Sequence, residues 1–334
     1  MSPATGLRER LRVRASVLAA IREFFAARDV IEVDTPALSA AAVTDPALAS
    51  LSTSVRSLGG RHYLQTSPEF AMKRLLAAGS GDIFQIARVY RDAELGRWHQ
   101  PEFLLLEWYR TGFDERALID EVFALLRIVL EPRFSPLARL DLSYREAFES
   151  AFDVDPLELD ADGCRALARA LAEREVDVPA NLGPDALLDL AVGTALTADW
   201  PRDTAVFLYD YPASQAALAA VKPTAPPVAA RFEVFVNGLE LGNGFRELTD
   251  AVLQRRRFEA DLEARREGGL PEAPLDTELL AALEAGLPDC AGVAVGLDRL
   301  IGLLTGADSL ADAVNFPHLG SDPFQVSPGK PGET

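Results

Sequence analysis

Cysteine and histidine are scarce in this chain: of 334 residues, two are cysteine and three are histidine. Cys164 and Cys290 lie far apart and form neither a disulfide framework nor a zinc spacing, so a reducing compartment is the simplest setting. His62, His99 and His318 are too scattered for a histidine-based metal cluster. No apolar run reaches the roughly 18 residues of a membrane span, and the run Val122–Leu130 is short and carries Arg127. The first residues, MSPATGLRERLRVRA, reach charged helix without an apolar core, so no signal peptide is expected and the location expected is cytoplasmic. Positive charge is in deficit: 33 Lys and Arg against 51 Asp and Glu give a net charge of −18. Such a field repels phosphodiester backbones in general and argues against a broad nucleic-acid binder, though not against a local basic site. The P-loop, the dinucleotide glycine fingerprint, the paired-histidine zinc motif and the serine nucleophile elbow are all missing.

What is present is an ordinary globular balance, 49% apolar and 25% charged, long enough for one large domain or two. Val13, Val17, Ala20, Ile21 and Phe24 recur at helical spacing, predicting a helix over Leu7–Arg28. Ile31–Asp34 alternates like a strand that Pro36 stops. Tyr63–Gln65 is strand-like, and Pro68 opens a helix. Asp82–Arg91 and Glu102–Arg110 read as strands joined by a charged connection, Asp92–Gln100, too polar for a core and long for a plain hairpin. Helices are expected at Asp114–Leu130, Asp162–Glu173, Pro184–Thr197, Asp250–Glu267 and Thr277–Ala285, and strands at Ala205–Tyr209, Arg231–Leu241 and Gly292–Leu297. The expected architecture is an α+β domain, an antiparallel sheet flanked by helices, with a helical insertion at about 153–201 and a loose tail at 321–334.

Four short groups carry chemistry. Thr66-Ser67-Pro68-Glu69 lies at a strand-to-helix junction, where hydroxyl and carboxylate also suit a plain helix cap. Arg88 to Glu94, followed by Arg97 to Phe103, offers guanidinium groups that fork onto phosphate, or else a solvated hairpin tip. Glu240 and Glu247 flank Gly242-Asn243-Gly244, which reads as a break that lets the two acids converge on a hard cation, or as a turn with exposed acids. Gly292 to Arg299 joins a glycine-bearing strand to a helix start, an anion site or a tight packing joint.

The order of these groups along the chain resembles the catalytic domain of class II aminoacyl-tRNA synthetases of the lysyl branch, over roughly Leu7 to Phe316. Val30–Pro36 is similar to that family's first motif, Arg91 through Phe103 to its second and Gly296–Arg299 to its third, while Thr66–Glu69 and Glu240–Asp250 are similar to lysyl-branch elements. Within the branch the chain resembles the short paralogues that ligate lysine to elongation factor P. Its first-motif helix begins near Leu7, leaving no room for an anticodon-binding domain, and alanine stands at Ala294, where the tRNA enzymes typically have glycine. The second motif departs from the family's Arg-x-Glu: Asp92 and Ala93 follow Arg91, the acid is displaced to Glu94, and Gln100 stands where asparagine is usual.

The resemblance implies a single catalytic domain over about 7–318, ATP and Mg²⁺ as cofactors, lysine or (R)-β-lysine as substrate, elongation factor P as protein acceptor, and a homodimer with no membrane and no tRNA partner. It implies Arg91 and Arg299 as catalytic residues. The ATP site would comprise Arg91, Asp92, Ala93, Glu94, His99, Gln100, Phe103, Glu240, Leu241, Gly296 and Arg299. Ser67, Pro68, Glu69, Glu107, Tyr109, Asn243, Glu247 and Ala294 would hold the amino acid, and Glu240 with Glu247 the metal. Alternation puts Glu107 and Tyr109 on one strand face. For Glu107 the other reading is an acid paired with a nearby arginine such as Arg110. Two other functions remain open: an adenylate-forming enzyme with a different acceptor, such as tRNA or a small amine, and a non-catalytic regulatory paralogue.

Overall fold

Residues 6–317 are described by a computed structural model; the expected tail at 321–334 lies outside them. Twelve strands and eleven helices follow in the order α1 (Leu7–Ala26), β1 (Ile31–Glu32), β2 (Leu38–Ser39), β3 (Ser52–Ser54), β4 (Arg61–Leu64), α2 (Glu69–Ala77), β5 (Ile83–Tyr90), β6 (Glu102–Thr111), α3 (Glu115–Leu130), β7 (Ala138–Ser143), α4 (Tyr144–Phe152), α5 (Ala161–Glu173), α6 (Pro184–Ala191), α7 (Thr197–Asp199), β8 (Thr204–Pro212), β9 (Val221–Lys222), β10 (Val228–Val236), β11 (Leu239–Arg246), α8 (Ala251–Glu267), α9 (Thr277–Gly286), β12 (Cys290–Gly296), α10 (Leu297–Thr305) and α11 (Leu310–Ala313).

The large sheet runs β1-β5-β6-β12-β11-β10-β8-β7, with β9 added against β10; a small sheet, β2-β4-β3, stands apart. The centre is antiparallel as expected, but both edges are parallel: β1 beside β5 and β7 beside β8. Alternation along the central strands separates two faces. Phe84, Leu106, Trp108, Val293 and Val295 point to one face, where they join Phe25 of α1, Leu118, Val122 and Leu126 of α3, and Leu300 of α10. Each such side chain, fully buried, contributes about 1.5–3 kcal/mol. The opposite face holds the polar residues of the site. The predicted insertion does not stand off as a separate unit. Its Leu167, Leu171, Leu187 and Leu188 pack with Val206, Leu208 and Phe235 of the sheet, forming a second core over the far strands.

Two local expectations are corrected. The segment Arg231–Leu241 is not one strand but most of β10, a turn and the start of β11. Asn237 and Gly238, both at positive φ (54° and 77°), make the two-residue hairpin turn. Gly242-Asn243-Gly244 is not a break: it lies inside β11, paired residue by residue with Val295, Ala294 and Val293 of β12. Its glycines serve close approach, since a Cβ on Gly242 would meet the Ala294 carbonyl oxygen at 2.6 Å and one on Gly244 the Phe232 ring at 2.6 Å. Strand β7 and helix α4 were not anticipated; α4 begins at a reciprocal cap between Ser143 and Glu146.

Candidate active site

Pairing registers align Gln85, Glu107, Ala294, Asn243 and Glu233 as one row across β5, β6, β12, β11 and β10. Two residues along, Tyr109, Gly292, Phe245 and Arg231 form the next row. Apart from Gln85 and Glu233, the residues of these rows floor a cavity of about 910 Å³ that α2, the small sheet, the second-motif connection and the start of α10 enclose. All but two of the residues expected at the site line it. The exceptions are Asp92 and Ala93, outside the lining: the Asp92 carboxylate accepts from the Ala93 N–H (2.9 Å), and Ala93 adopts φ 60°. That turn brings Glu94 into the cavity, its carboxylate 3.5 Å from the Arg91 guanidinium.

One end of the cavity is acidic. Glu107 accepts hydrogen bonds from the Ser67 hydroxyl (2.7 Å) and the Tyr109 hydroxyl (2.6 Å). It does not pair with Arg110, which lies on the opposite strand face and is bound to Asp82 (3.0 Å) and Glu121 (3.5 Å). The Ser67 hydroxyl also accepts from the Glu69 N–H at the start of α2 (3.0 Å), although the cap position itself is Pro68 and carries no side-chain cap bond. Glu69 and Glu247 meet on the buried ammonium of Lys73, at 2.5 and 2.6 Å. Burial, and then the negative charge of Glu69, pushes the Glu107 carboxyl up to about 7. Burial pushes Glu247 up to about 8 against the pull of Lys73. Burial alone would lower Lys73, but Glu247 and Glu69 outweigh it and hold the ammonium charged. One cation cannot satisfy three carboxylates, so Glu107 and Glu247 hold their protons to higher pH than free carboxyls do. Gly292 makes room for this group: a Cβ there would lie 2.3 Å from the Tyr109 ring and 2.6 Å from a Glu247 oxygen.

The other end is basic. The Arg91 guanidinium lies over Phe103, 5.1 Å from the ring centre. Arg299 opens α10 and is held by the Trp98 carbonyl (3.2 Å), the Glu240 carbonyl (2.9 Å) and the His99 ring nitrogen Nε2 (2.8 Å). Burial, and next the Arg299 charge, lowers the His99 pKa, keeping the ring neutral and able to accept that bond. Asp298 is buried, taking Arg14 (2.6 Å) and the Leu104 N–H (2.7 Å), which ties α1 and β6 to the start of α10. Gln100 is buried, Pro68 precedes α2, and Gly296 ends β12. Leu241 lines the cavity yet packs into the main core, so its backbone is what it offers a ligand.

The metal pairing expected of Glu240 and Glu247 is not borne out. Seven extended residues separate their Cα atoms by about 23 Å. Glu240 faces Arg299 and Glu247 faces Lys73. Glu233, whose carboxyl burial raises to about 7 with the charge of Glu240 adding to the rise, is held by Arg231 at 2.6 Å. Arg231 also holds Asn243 at 3.0 Å. Sequence reading missed Glu233 and Lys73. The signal for Glu233 was a second seven-residue interval, Glu233 to Glu240, equal to Glu240 to Glu247. Among the described residues no cluster of three or more His, Cys, Asp or Glu could hold a metal ion.

The sheet, its glycine-bearing third-motif strand and the two arginines place this chain in the family described as tRNA synthetases class II (D, K and N), which matches residues 4–320; the chain belongs to that family. More specifically, it is similar to three proteins described as elongation factor P–(R)-beta-lysine ligase. One, from Vibrio cholerae, is 48% identical over 311 residues, 92% of this chain and 94% of the relative. One from Klebsiella pneumoniae is 47% identical over 314 residues (91% and 93%). One from Proteus mirabilis is 47% identical over 309 residues (91% and 93%).

Proposed function

We propose that this chain is an ATP-dependent ligase that activates lysine or (R)-β-lysine as an adenylate and transfers it to a lysine side chain of elongation factor P. The observation that carries this reading is the bipolar cavity. Buried carboxylates suited to two ammonium groups stand at one end, and guanidinium groups suited to a triphosphate at the other. A buried ammonium needs a paired carboxylate, and Glu107 with Tyr109 offers one. Glu69 with Ser67 suits the second amino group. The names of the relatives support elongation factor P as the acceptor.

In the first half-reaction a carboxylate oxygen of the amino acid bonds to the α-phosphorus and pyrophosphate leaves. Arg91 neutralises charge developing on the α-phosphate, and Arg299 holds the far phosphates. In the second, an acceptor amine bonds to the acyl carbon, the bond to AMP breaks, and the amine gives up a proton. Glu240, which lines the cavity beside Arg299, supplies a hard oxygen donor of the kind Mg²⁺ takes alongside substrate phosphates. When bound, that ion would offset phosphate charge. Glu94, drawn to Arg91, stands in the cavity where Ala93 leaves no acid.

The test is intact-mass analysis of elongation factor P after incubation with the enzyme, ATP and each lysine isomer. The expected result is a mass gain of one lysyl residue, dependent on ATP. Adenylate formation with no gain on the factor would point to another acceptor; no amino-acid-dependent pyrophosphate exchange would point to a regulatory paralogue.

A further inference from the structure

Lys73 is almost wholly enclosed, it is not part of the cavity lining, and its ammonium is shared by two carboxylates that are. Those two come from different elements: Glu69 from the first turn of α2, one helical turn before Lys73, and Glu247 from the residue after β11. The Phe245 ring lies beneath the same ammonium, its centre 5.5 Å away. An ion pair buried for stability alone is a poor arrangement, because desolvation takes back most of what attraction returns. Here it also leaves a second oxygen of Glu247 buried without a hydrogen-bond partner, beside Tyr109 and Gly292 at the pocket floor. The groups facing Lys73 and Glu247 are Glu69 from α2, Glu107 and Tyr109 from β6, and Cys290 from β12. Three carboxylates, Glu69, Glu107 and Glu247, thus stand around the single ammonium of Lys73, two more acids than it can match. A diamino acid brings two ammonium groups.

We infer that Lys73 is the positioning residue of the amino-acid pocket: it holds Glu69 and Glu247 in place from behind and sets the pocket's charge to match a substrate with two ammonium groups. This inference rests on the proposed reading of the cavity. Without Lys73 the two carboxylates lose their shared cation and take up a proton more readily, since an adjacent positive charge is what favours their ionised form. A protonated pair offers less to an ammonium. Lysine binding in the variant therefore requires a higher pH, and the loss falls on KM for the amino acid rather than on kcat or on ATP.

The experiment is amino-acid-dependent pyrophosphate exchange from pH 6 to 8.5 with lysine, (R)-β-lysine and norleucine, comparing wild type with Lys73→Met. Lys73→Gln, whose amide keeps a donor for the carboxylates, is prepared beside it because the apolar variant leaves both acids unpaired. The expected result is a rise of at least about tenfold in KM for both diamino acids at pH 7, with KM for ATP within about twofold. The acid limb of the amino-acid KM profile should move to higher pH, and discrimination against norleucine should fall. A variant that melts earlier but keeps the wild-type pH profile and selectivity overturns the inference while leaving the reading of the cavity intact. So does failure of both variants to fold, which would make Lys73 a scaffold residue. Absence of exchange in the wild type overturns the reading and the inference together.

Discussion

Glu240 sits against the Arg299 guanidinium and stays partly exposed, whereas Glu247 is sealed against Lys73. The same side chain is thus set to two different tasks by the cation beside it. A partly exposed carboxylate beside Arg299 suits a phosphate-bound metal; a buried one beside a tyrosine suits an ammonium. Glu240→Gln is expected to raise the Mg²⁺ concentration needed for half-maximal pyrophosphate exchange by about tenfold or more, with little change in KM for lysine. Glu247→Gln is expected to do the reverse, because removing one side of a buried charge pair acts on the ligand that pair receives. Titrating Mg²⁺ and lysine separately in each variant checks both. The same response to Mg²⁺ in the two variants would restore the pairing of Glu240 with Glu247 that the strand geometry opposes.

Strand β12 shows how an element makes a site by leaving side chains out. Its face toward the cavity reads Gly292, Ala294, Gly296, between Glu107 and Tyr109 on one neighbour and Asn243 and Phe245 on the other. Anything larger at Gly292 invades the space of Tyr109 and Glu247. Overfilling a packed position costs about 1–3 kcal/mol. Gly292→Ala is therefore expected to lower the melting temperature by a few degrees and to raise KM for lysine more than KM for ATP. Calorimetry and exchange kinetics on one preparation would check the pair of effects. A normal lysine KM in a destabilised variant would restrict Gly292 to packing. The start of α10 follows the same economy: Asp298 spends both carboxylate oxygens on α1 and β6, so the neighbouring Arg299 emerges from a fixed helix end.

On the scale of the whole molecule, the chain presents one sheet edge with little cover. Strand β1 is two residues long, Ile31 is 56% exposed, and Leu7, Leu11 and Leu38 are exposed nearby in the chain. We propose that this first-motif edge is where two copies meet, since a two-fold axis there would bury the same patch on both subunits. Sedimentation at micromolar concentration is expected to show a species of about twice the 36.1 kDa chain mass. A 36.1 kDa species alone would set the dimer aside. No helix among the described residues is long and apolar enough to cross a membrane.

Local order in the sequence was enough to reveal α1, the β5–β6 pair with its polar connection, the third-motif strand and the two arginines. Periodicity and the succession of short motifs are properties of neighbouring residues, and Ser67, Glu69, Glu107 and Tyr109 lay within such motifs. The Asn237-Gly238 turn was also written locally, although glycines further along drew the break to the wrong place. What the tertiary structure decided was which charges meet. Lys73 is one more helical cation until β11 delivers Glu247 to it from 174 residues away. Glu240 and Glu247 look like partners until strand pairing stretches the chain between them. Glu233 comes beside Asn243 in the cross-strand row only when the hairpin folds back. Spacing along a chain becomes distance only after the pairing of each segment is known, and the energy of a buried charge depends on distance and burial together.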